Sequence, residues 1–549
     1  MGKSSDSMKS FWRGGELFVW LTASGVAISL LMVGAMLALI MVNGLGQFWP
    51  ATLHQIVLKT QEIVIGQVVG HEVIPNSVTP DRPNGLDRFR YRVGNRDVFG
   101  SEYRWVNGED ILSTMSPKDL TFVERREWGP AFGRLSIVGV DGMTESSDSH
   151  TWSAIGSLVE ESTNLRQRIE HVERDEIGAI NYRLEKARLE RQALTLDGQL
   201  SPREAEVDRR LVDQIATLEQ EYQAKTVALE QLHKEAGQKT LLLTLSNGRP
   251  LRLTLDQVIT VSRPNDMSWI DKLVAYLHNL WLFVSSEPRE ANTEGGIFPA
   301  IFGTVLMVFL MTIAVMPFGV VAAVYLREYA KQGVLVRLVR IAVNNLAGVP
   351  SIVFGVFGLA FFVYALGGTI DQLLFPESLP NPTFGTGGIL WASLTLALLT
   401  VPVVIVATEE GLSAVPRDFR EGSVGLGATK FETIWHVILP CALPGILTGL
   451  ILAMARAAGE VAPLMLTGVV KLAPALPLDS YLPFLHLDRK FMHLGFHIYD
   501  VGFQSPNVEA AKPMVYMTTL ILILVVVLLN WTAVMLRNRL RKRFAMSAV

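Results

Sequence analysis

Apolar residues collect at the two ends of this chain, with polar ones between them. A first unbroken apolar run covers about 18–42. Others lie at about 297–325, 341–366, 388–408, 441–468 and 513–536, each near the ~20 residues a helix needs to cross a bilayer, some interrupted by Gly or Pro. Residues 55–290 are patterned differently. Phe89-Arg90-Tyr91-Arg92-Val93 and Arg134-Leu135-Ser136-Ile137-Val138 alternate with a period of two, which predicts strands. Asn247-Gly248, between apolar stretches at 241–245 and 251–255, predicts a hairpin with both turn residues at positive φ.

Within that middle part, residues about 155–236 read as charged helix. Leu158, Leu165, Ile169 and Val172 follow heptad spacing, and Leu211, Ile215, Leu218, Tyr222, Leu229 and Leu232 do so again. Asp197-Gly198 breaks the pattern, and Ser201-Pro202-Arg203-Glu204 restarts it as a capping box with Pro at the first helical position. An antiparallel helical hairpin on a small β domain follows, serving either as a docking arm or as a solvated spacer. Trp269, Leu273, Tyr276, Leu277, Leu280 and Trp281 recur at helical spacing just before the second apolar run, as in a helix at the membrane interface or a core helix of the inserted domain.

Composition sharpens this picture. Charged residues are 18% of the chain, against about 25% in soluble domains, so the long runs are read as membrane spans. The first run, about 25 residues, exceeds the ~7–15 of a signal peptide and is read as a retained helix. Arg327, Lys331, Arg337 and Arg340 follow span two, Arg417, Arg420 and Lys430 follow span four, and Arg537, Arg539, Arg541, Lys542 and Arg543 follow span six. With Lys3, Lys9 and Arg13 before span one, the positive-inside rule puts both termini in the cytoplasm and residues 55–290 outside. The expected plan is a cytoplasmic N-terminus (1–17), span one (18–42), an external domain (55–290), a core holding spans two to six (291–536) and a basic cytoplasmic tail (537–549). A net charge of −3 gives no reason to expect nucleic acid. The single cysteine, Cys441, rules out an intramolecular disulfide and is read as a packing residue.

The loop at 409–440 carries the most specific pattern. Glu421-Gly422-Ser423, Gly427 and Val437-Ile438-Leu439-Pro440 resemble the cytoplasmic EAA loop of ABC importer permeases: Glu-Ala-Ala, three residues, Gly, nine residues, Ile, any residue, Leu-Pro. Glu421, Gly427, Leu439 and Pro440 keep that spacing, while Gly422, Ser423 and Val437 are small or apolar replacements. Gly295-Gly296-Ile297, the Tyr325-Leu326-Arg327-Glu328-Tyr329 stretch, Gly348-Val349-Pro350-Ser351, Thr408-Glu409-Glu410 and Arg456-Ala457-Ala458-Gly459-Glu460 extend the resemblance to the PstA family of phosphate-importer permeases. It covers the spans and leaves the inserted domain outside.

What the resemblance implies is a polytopic α-helical membrane protein of bacterial inner membranes, with six transmembrane helices of the type I ABC importer permease kind and an added external α+β domain. It implies a PstC-like second permease, a PstB-like ATP-binding subunit dimer and an external phosphate-binding protein, with membrane lipid around the spans. Glu421, Gly427, Leu439 and Pro440 become the coupling residues, a rigid knob that the ATPase pushes and that Pro440 ends where the next span begins. Arg456 and Glu460, four residues apart in an apolar span, become substrate-path residues, or else an ion pair pinning helices. No G-x-x-x-x-G-K-[ST] loop is present, so the expectation is a transport subunit that is not an enzyme and holds no cofactor, with ATP and Mg on the partner. His486, His493, His497, Asp488 and Asp500 fit no standard metal spacing and are expected to pack or hydrogen-bond. The alternatives are a permease for another oxyanion, such as molybdate or phosphonate, and a signalling receptor with an external coiled coil.

Overall fold

The computed structural model describes residues 16–74, 86–140, 149–196, 198, 201–505 and 508–546. Lys3, Lys9 and Arg13 lie outside them, as do Asp197 and residues 547–549. Among the described residues six helices are long and apolar enough to cross a membrane, and the chain is a multi-pass membrane protein. The first, α1 (Glu16–Leu45), exposes Phe18, Trp20, Leu30 and Met32, side chains that only a lipid or protein surround would cover.

Between α1 and the second span stand two antiparallel five-stranded sheets. The first orders β4 (Tyr103–Asn107), β3 (Asp87–Arg92), β2 (Ile63–Val73), β1 (His54–Leu58) and β5 (Ile111–Met115). The second orders β10 (Val258–Ser262), β6 (Leu120–Arg125), β7 (Ala131–Val140), β8 (Lys239–Thr244) and β9 (Pro250–Thr254). Leu53, Ile65, Leu120 and Phe132 pack between them, fully or almost fully buried. Asn265 pins the entry and exit of the domain together: its side chain accepts from the Leu53 amide and donates to the Leu53 carbonyl, each at 2.8 Å. The β8–β9 hairpin forms, but only Gly248 of its Asn-Gly pair takes positive φ (+76°). Leu245 and Arg249 close a three-residue loop with the left-handed glycine last, in place of the two-residue turn.

The helical hairpin leaves β7 and returns to β8, two neighbouring strands, so its length leaves the sheet intact. Its first arm is α2 (Ser149–Glu170), a π-helical stretch (His171–Ile177) and α3 (Gly178–Thr195); its second is α4 (Pro202–Gln238), opened by the Ser201/Glu204 capping box. The wider π turns shift the seam, so the first arm contributes Ile180 and Leu184 to a cluster with Leu218 and Tyr222. The arm touches its own chain. Tyr182 stacks on Tyr481 with ring centroids 4.8 Å apart, its hydroxyl donates to the Leu482 carbonyl at 2.7 Å, and Gln192 reaches the Leu379 carbonyl at 3.3 Å.

A short strap joins the domain to the second span, pairing Pro288 with Gly295 and Arg289 with Glu294. Beside it, Arg92 donates to Glu102 at 2.6 Å and lies 3.7 Å from Glu294. The Glu294 side chain is 17% exposed, and burial, reinforced by Glu290 and Glu102 against the pull of Arg92, pushes its carboxyl up to about 7. Between the ordinary 4.5 and about 7 the folded chain therefore holds a proton that the unfolded chain has lost. Stability from this group is full below the unfolded value and is lost as pH rises through 7, on the order of 3 kcal/mol at most. Thermal unfolding of the solubilised chain is expected to show a midpoint falling from pH 5 to pH 8, with Glu294→Gln flattening the fall. An equally steep fall in the variant would exclude Glu294 as its source.

The membrane part is built around α9 (Ile389–Ser413), its most buried span. Against it pack α6 (Phe298–Tyr329), α8 (Ser351–Leu374) and α11 (Lys430–Gly459), while α14 (Val508–Met546) carries α1 on its outer side. The third crossing begins later than the apolar run suggests. Residues 334–346 form a separate amphipathic helix, α7 (Val334–Leu346), and the span starts after Pro350, which cannot donate to a helix ladder. The α9–α11 contact is close. A Cβ on Gly445 would stand 2.7 Å from the Gly411 Cα, and one on Gly449 2.3 Å from the Ala407 Cβ. Gly449→Val is expected to destabilise the bundle by about 1–3 kcal/mol, read as a lower unfolding temperature in detergent, whereas Leu452→Ala on the exposed face should change little.

Candidate functional site

At the end of the bundle away from the inserted domain, α9 runs into a compact knob. Its first helix is α10 (Arg417–Gly425). Gly427 follows at φ +89°, and two hydrogen bonds close the turn: Gly427 N–H to the Val424 carbonyl at 2.9 Å and Ala428 N–H to the Ser423 carbonyl at 3.2 Å. This is a Schellman C-cap, which needs a left-handed residue at that place, and glycine takes it without strain. Thr429 at once caps the next helix, accepting from the Glu432 amide while the Glu432 carboxylate accepts from the Thr429 amide at 2.8 Å. The Ser423 and Thr433 hydroxyls, 2.9 Å apart, bridge the two helices. Leu439 is half-buried against the cluster of Leu412, Val415, Ile434 and Ile438.

The sequence pattern makes Pro440 the end of the knob. Instead, a π-helical segment (Ile434–Ile438) inside α11 joins the knob's second helix to the span without a break, and Pro440 sits within that continuous helix. A proline without an N–H is accommodated next to a π segment, where the ladder is already shifted. Glu421 lies on the exposed surface of α10.

Two anchors tie the knob to the end of α6, and neither belongs to the motif. Arg420 donates to Glu328 at 3.0 Å and to the Leu412 carbonyl at 2.8 Å, covering an open acceptor at the end of α9. Lys430 donates to the Glu328 carbonyl and stands 4.9 Å from the Tyr329 ring centroid. Arg340 and Glu409 add a paired contact at 3.1 and 3.2 Å. The outer surface of the knob is apolar: Leu426 is 92% exposed, and Phe419, Val424, Phe431 and Trp435 are exposed beside it, the last two with stacked rings.

The second group lies inside the bundle. Gly445 faces Gly411 and Gly449 faces Ala407; continued at that register, Arg456 is level with Thr400, near the middle of α9. Arg456 and Glu460 do meet, Nε to Oε1 at 3.4 Å, but not along one helix face. α11 ends at Gly459, Glu460 is extended (φ −80°, ψ 131°), and α12 (Ala462–Thr467) begins afresh. The ion pair thus spans a helix break. Irregular backbone at membrane depth needs protein around it or a water-filled cavity beside it. The two side chains are 34% and 21% exposed.

Two of the three histidines hydrogen-bond, to separate partners, while both ring nitrogens of His497 are buried without one. His486 bonds Asp479 at 2.9 Å, and His493 accepts from the Gly495 amide at 3.1 Å. His497 is buried near Asp500, which pairs with Lys471 at 3.1 Å. Burial pushes His493 down to about 3 and His497 to about 4, so both rings are neutral. Among the described residues no group of three or more His, Cys, Asp or Glu side chains is placed to hold a metal.

Residues 315–542 match the family described as the inner membrane component of binding-protein-dependent transport systems. A probable ABC transporter permease of Bacillus subtilis, YqgI, is 31% identical over 235 residues, covering 42% of this chain and 74% of the relative. The phosphate transport system permease protein PstA 1 of Mycobacterium tuberculosis is 34% identical over 244 residues, 44% of this chain and 71% of the relative. PstA of Yersinia pestis is 35% identical over 191 residues, covering 35% and 59%. The family match begins after the inserted domain ends.

Proposed function

The chain belongs to the family of inner membrane components of binding-protein-dependent transport systems, as a PstA-like permease, and on that premise we propose that it forms half of an ATP-driven import path for inorganic phosphate. A permease of this family works with an ATPase and a substrate-binding protein. Here these are a PstB-like dimer, which holds ATP and Mg and does the hydrolysis, and an external phosphate-binding protein; a PstC-like permease supplies the other half. This chain itself catalyses nothing. The membrane is the bacterial inner membrane, with both termini and the knob in the cytoplasm and the inserted domain outside. The basic residues Arg327, Arg337, Arg417 and Lys430 near the knob support that orientation.

The observation that carries the reading is the knob, stiff by its double cap, apolar outside and tied to α6. A closing ATPase that pushes it moves α6 and α11 together, where a loose loop would absorb the motion. The helices then alternate between outward and inward access around Arg456 and Glu460, which line the phosphate path. A guanidinium offers phosphate two parallel hydrogen bonds, and Glu460 beside it keeps the dianion from being held too tightly to leave.

Labelled phosphate uptake in cells lacking this chain tests the proposal, with molybdate and phosphonate uptake run alongside. Loss confined to phosphate, restored with the gene, is the expected result. Intact phosphate uptake with loss of another oxyanion's would overturn the substrate.

A further inference from the structure

A cavity of about 570 Å³ lies where the inserted domain meets the membrane helices. One side of it is apolar, with Phe48 just after α1, Phe283 and Leu282 of α5 (Trp269–Ser285), and Met514 and Met517 of α14. The other side carries arginines: Arg92 of β3, Arg126 just after β6, Arg166 of α2, Arg174 of the π-helical stretch and Arg289 of the strap. Most of these are spoken for: Arg289 pairs with Glu124 at 2.7 Å, Arg92 with Glu102, and Arg174 with Glu287.

Arg166 and Arg126 are left. Arg166 donates one Nη to the Val258 carbonyl at 2.6 Å, but its Nε is buried and has no hydrogen-bond partner. Arg126 is exposed to the cavity and makes no ion pair among the described residues. Burial first, then the like charges of Arg126 and Arg289, work against the Arg166 proton, while Glu170 and Asp256 favour it. Of the carboxylates that line the cavity, Glu124 and Glu287 are already paired and Glu294 carries reduced charge near neutral pH, which leaves Glu170 as the one full negative charge facing the two guanidinium groups. Two guanidinium groups thus share a half-enclosed space in which an anion is the missing component.

α5 lines the cavity, and its exposed face suits the lipid headgroup level. α5 turns Trp269, Ile270, Val274, Leu277 and Trp281 outward, all more than half exposed, the face of a helix lying in the membrane interface. Leu280 and Phe283 face inward, so of the two readings of its sequence this exposure pattern favours a helix at the interface.

We propose that this cavity binds a phosphate group, held by Arg126 and Arg166, with the apolar wall receiving whatever the phosphate is esterified to. An anionic phospholipid fits both walls, and free inorganic phosphate would use the arginines alone. The two sources separate when the purified full chain in detergent is titrated with phosphatidylglycerol, phosphatidylcholine or inorganic phosphate. Bound ligand is counted by native mass spectrometry and protection by thermal unfolding.

Arg126→Glu is expected to weaken phosphatidylglycerol retention about tenfold or more, with phosphatidylcholine unchanged. Arg126 makes no ion pair that the change would break, so the fold should survive; Arg166→Lys, which keeps the charge and loses the fork, should show a smaller loss. If Arg126→Glu instead removes only the protection given by inorganic phosphate, the site is one for the free oxyanion. Retention of both ligands at wild-type strength in Arg126→Glu overturns the proposal.

Discussion

Leu426→Asp is expected to abolish uptake while leaving the chain folded and inserted. At 92% exposure Leu426 contributes almost nothing to the fold of its own chain, and no Cβ contact limits the neighbouring Gly427. Such a side chain at the tip of an apolar surface gains only when a partner covers it, by about 1.5–3 kcal/mol for a leucine. An aspartate there forfeits that gain and brings an unpaired charge into the contact. A loss of about 3 kcal/mol is about a hundredfold in affinity for the ATPase. Co-purification of the ATPase with the tagged permease reads this directly. Gly427→Val reaches a similar end by another route, since a β-branched residue at φ +89° costs about 1–3 kcal/mol and unseats the turn that aims Leu426. Full ATPase recovery and normal uptake in Leu426→Asp would show that the partner grips elsewhere.

The knob also marks how far a sequence can be read. Gly427 is legible because a left-handed turn leaves a mark in residue type, and the strands at 87–92 and 131–140 because alternation is local. Arg420 and Glu328 are 92 residues apart, and nothing local in either signals the other. The break at Glu460 was within reach. Gly459 and Pro463 bracket it, a glycine at a helix end and a proline in the first turn of the next helix, but the apolar run around them hides the interruption. The same masking merges α7 with the third span across Pro350. Apolar content reports burial in lipid; it says little about whether the helix inside that lipid is continuous. The π segments at 171–177 and 434–438 leave no pattern, because they arise from how neighbouring turns pack.

Arg456→Gln is expected to cut phosphate uptake at least about tenfold with the complex still assembled. A charge near the centre of a span costs about 2.5–3.5 kcal/mol unless protein or water receives it, so Arg456 must have a use that outweighs this cost. Glu460 alone is a poor candidate for that use, since their contact is a single long hydrogen bond of 3.4 Å, with a third of the arginine side chain open. A phosphate passing the break would complete the fork. The competing role, a pin between α11 and the segment after the break, makes an opposite prediction for the double variant. Removing Arg456 alone leaves Glu460 partly buried and unpaired, so a pin predicts lower stability in Arg456→Gln and recovery of both stability and uptake when Glu460→Gln is added. A path residue predicts that the double variant regains stability and still fails to import, because the group that meets phosphate is gone. Uptake and unfolding temperature measured across wild type, both single variants and the double variant distinguish the two.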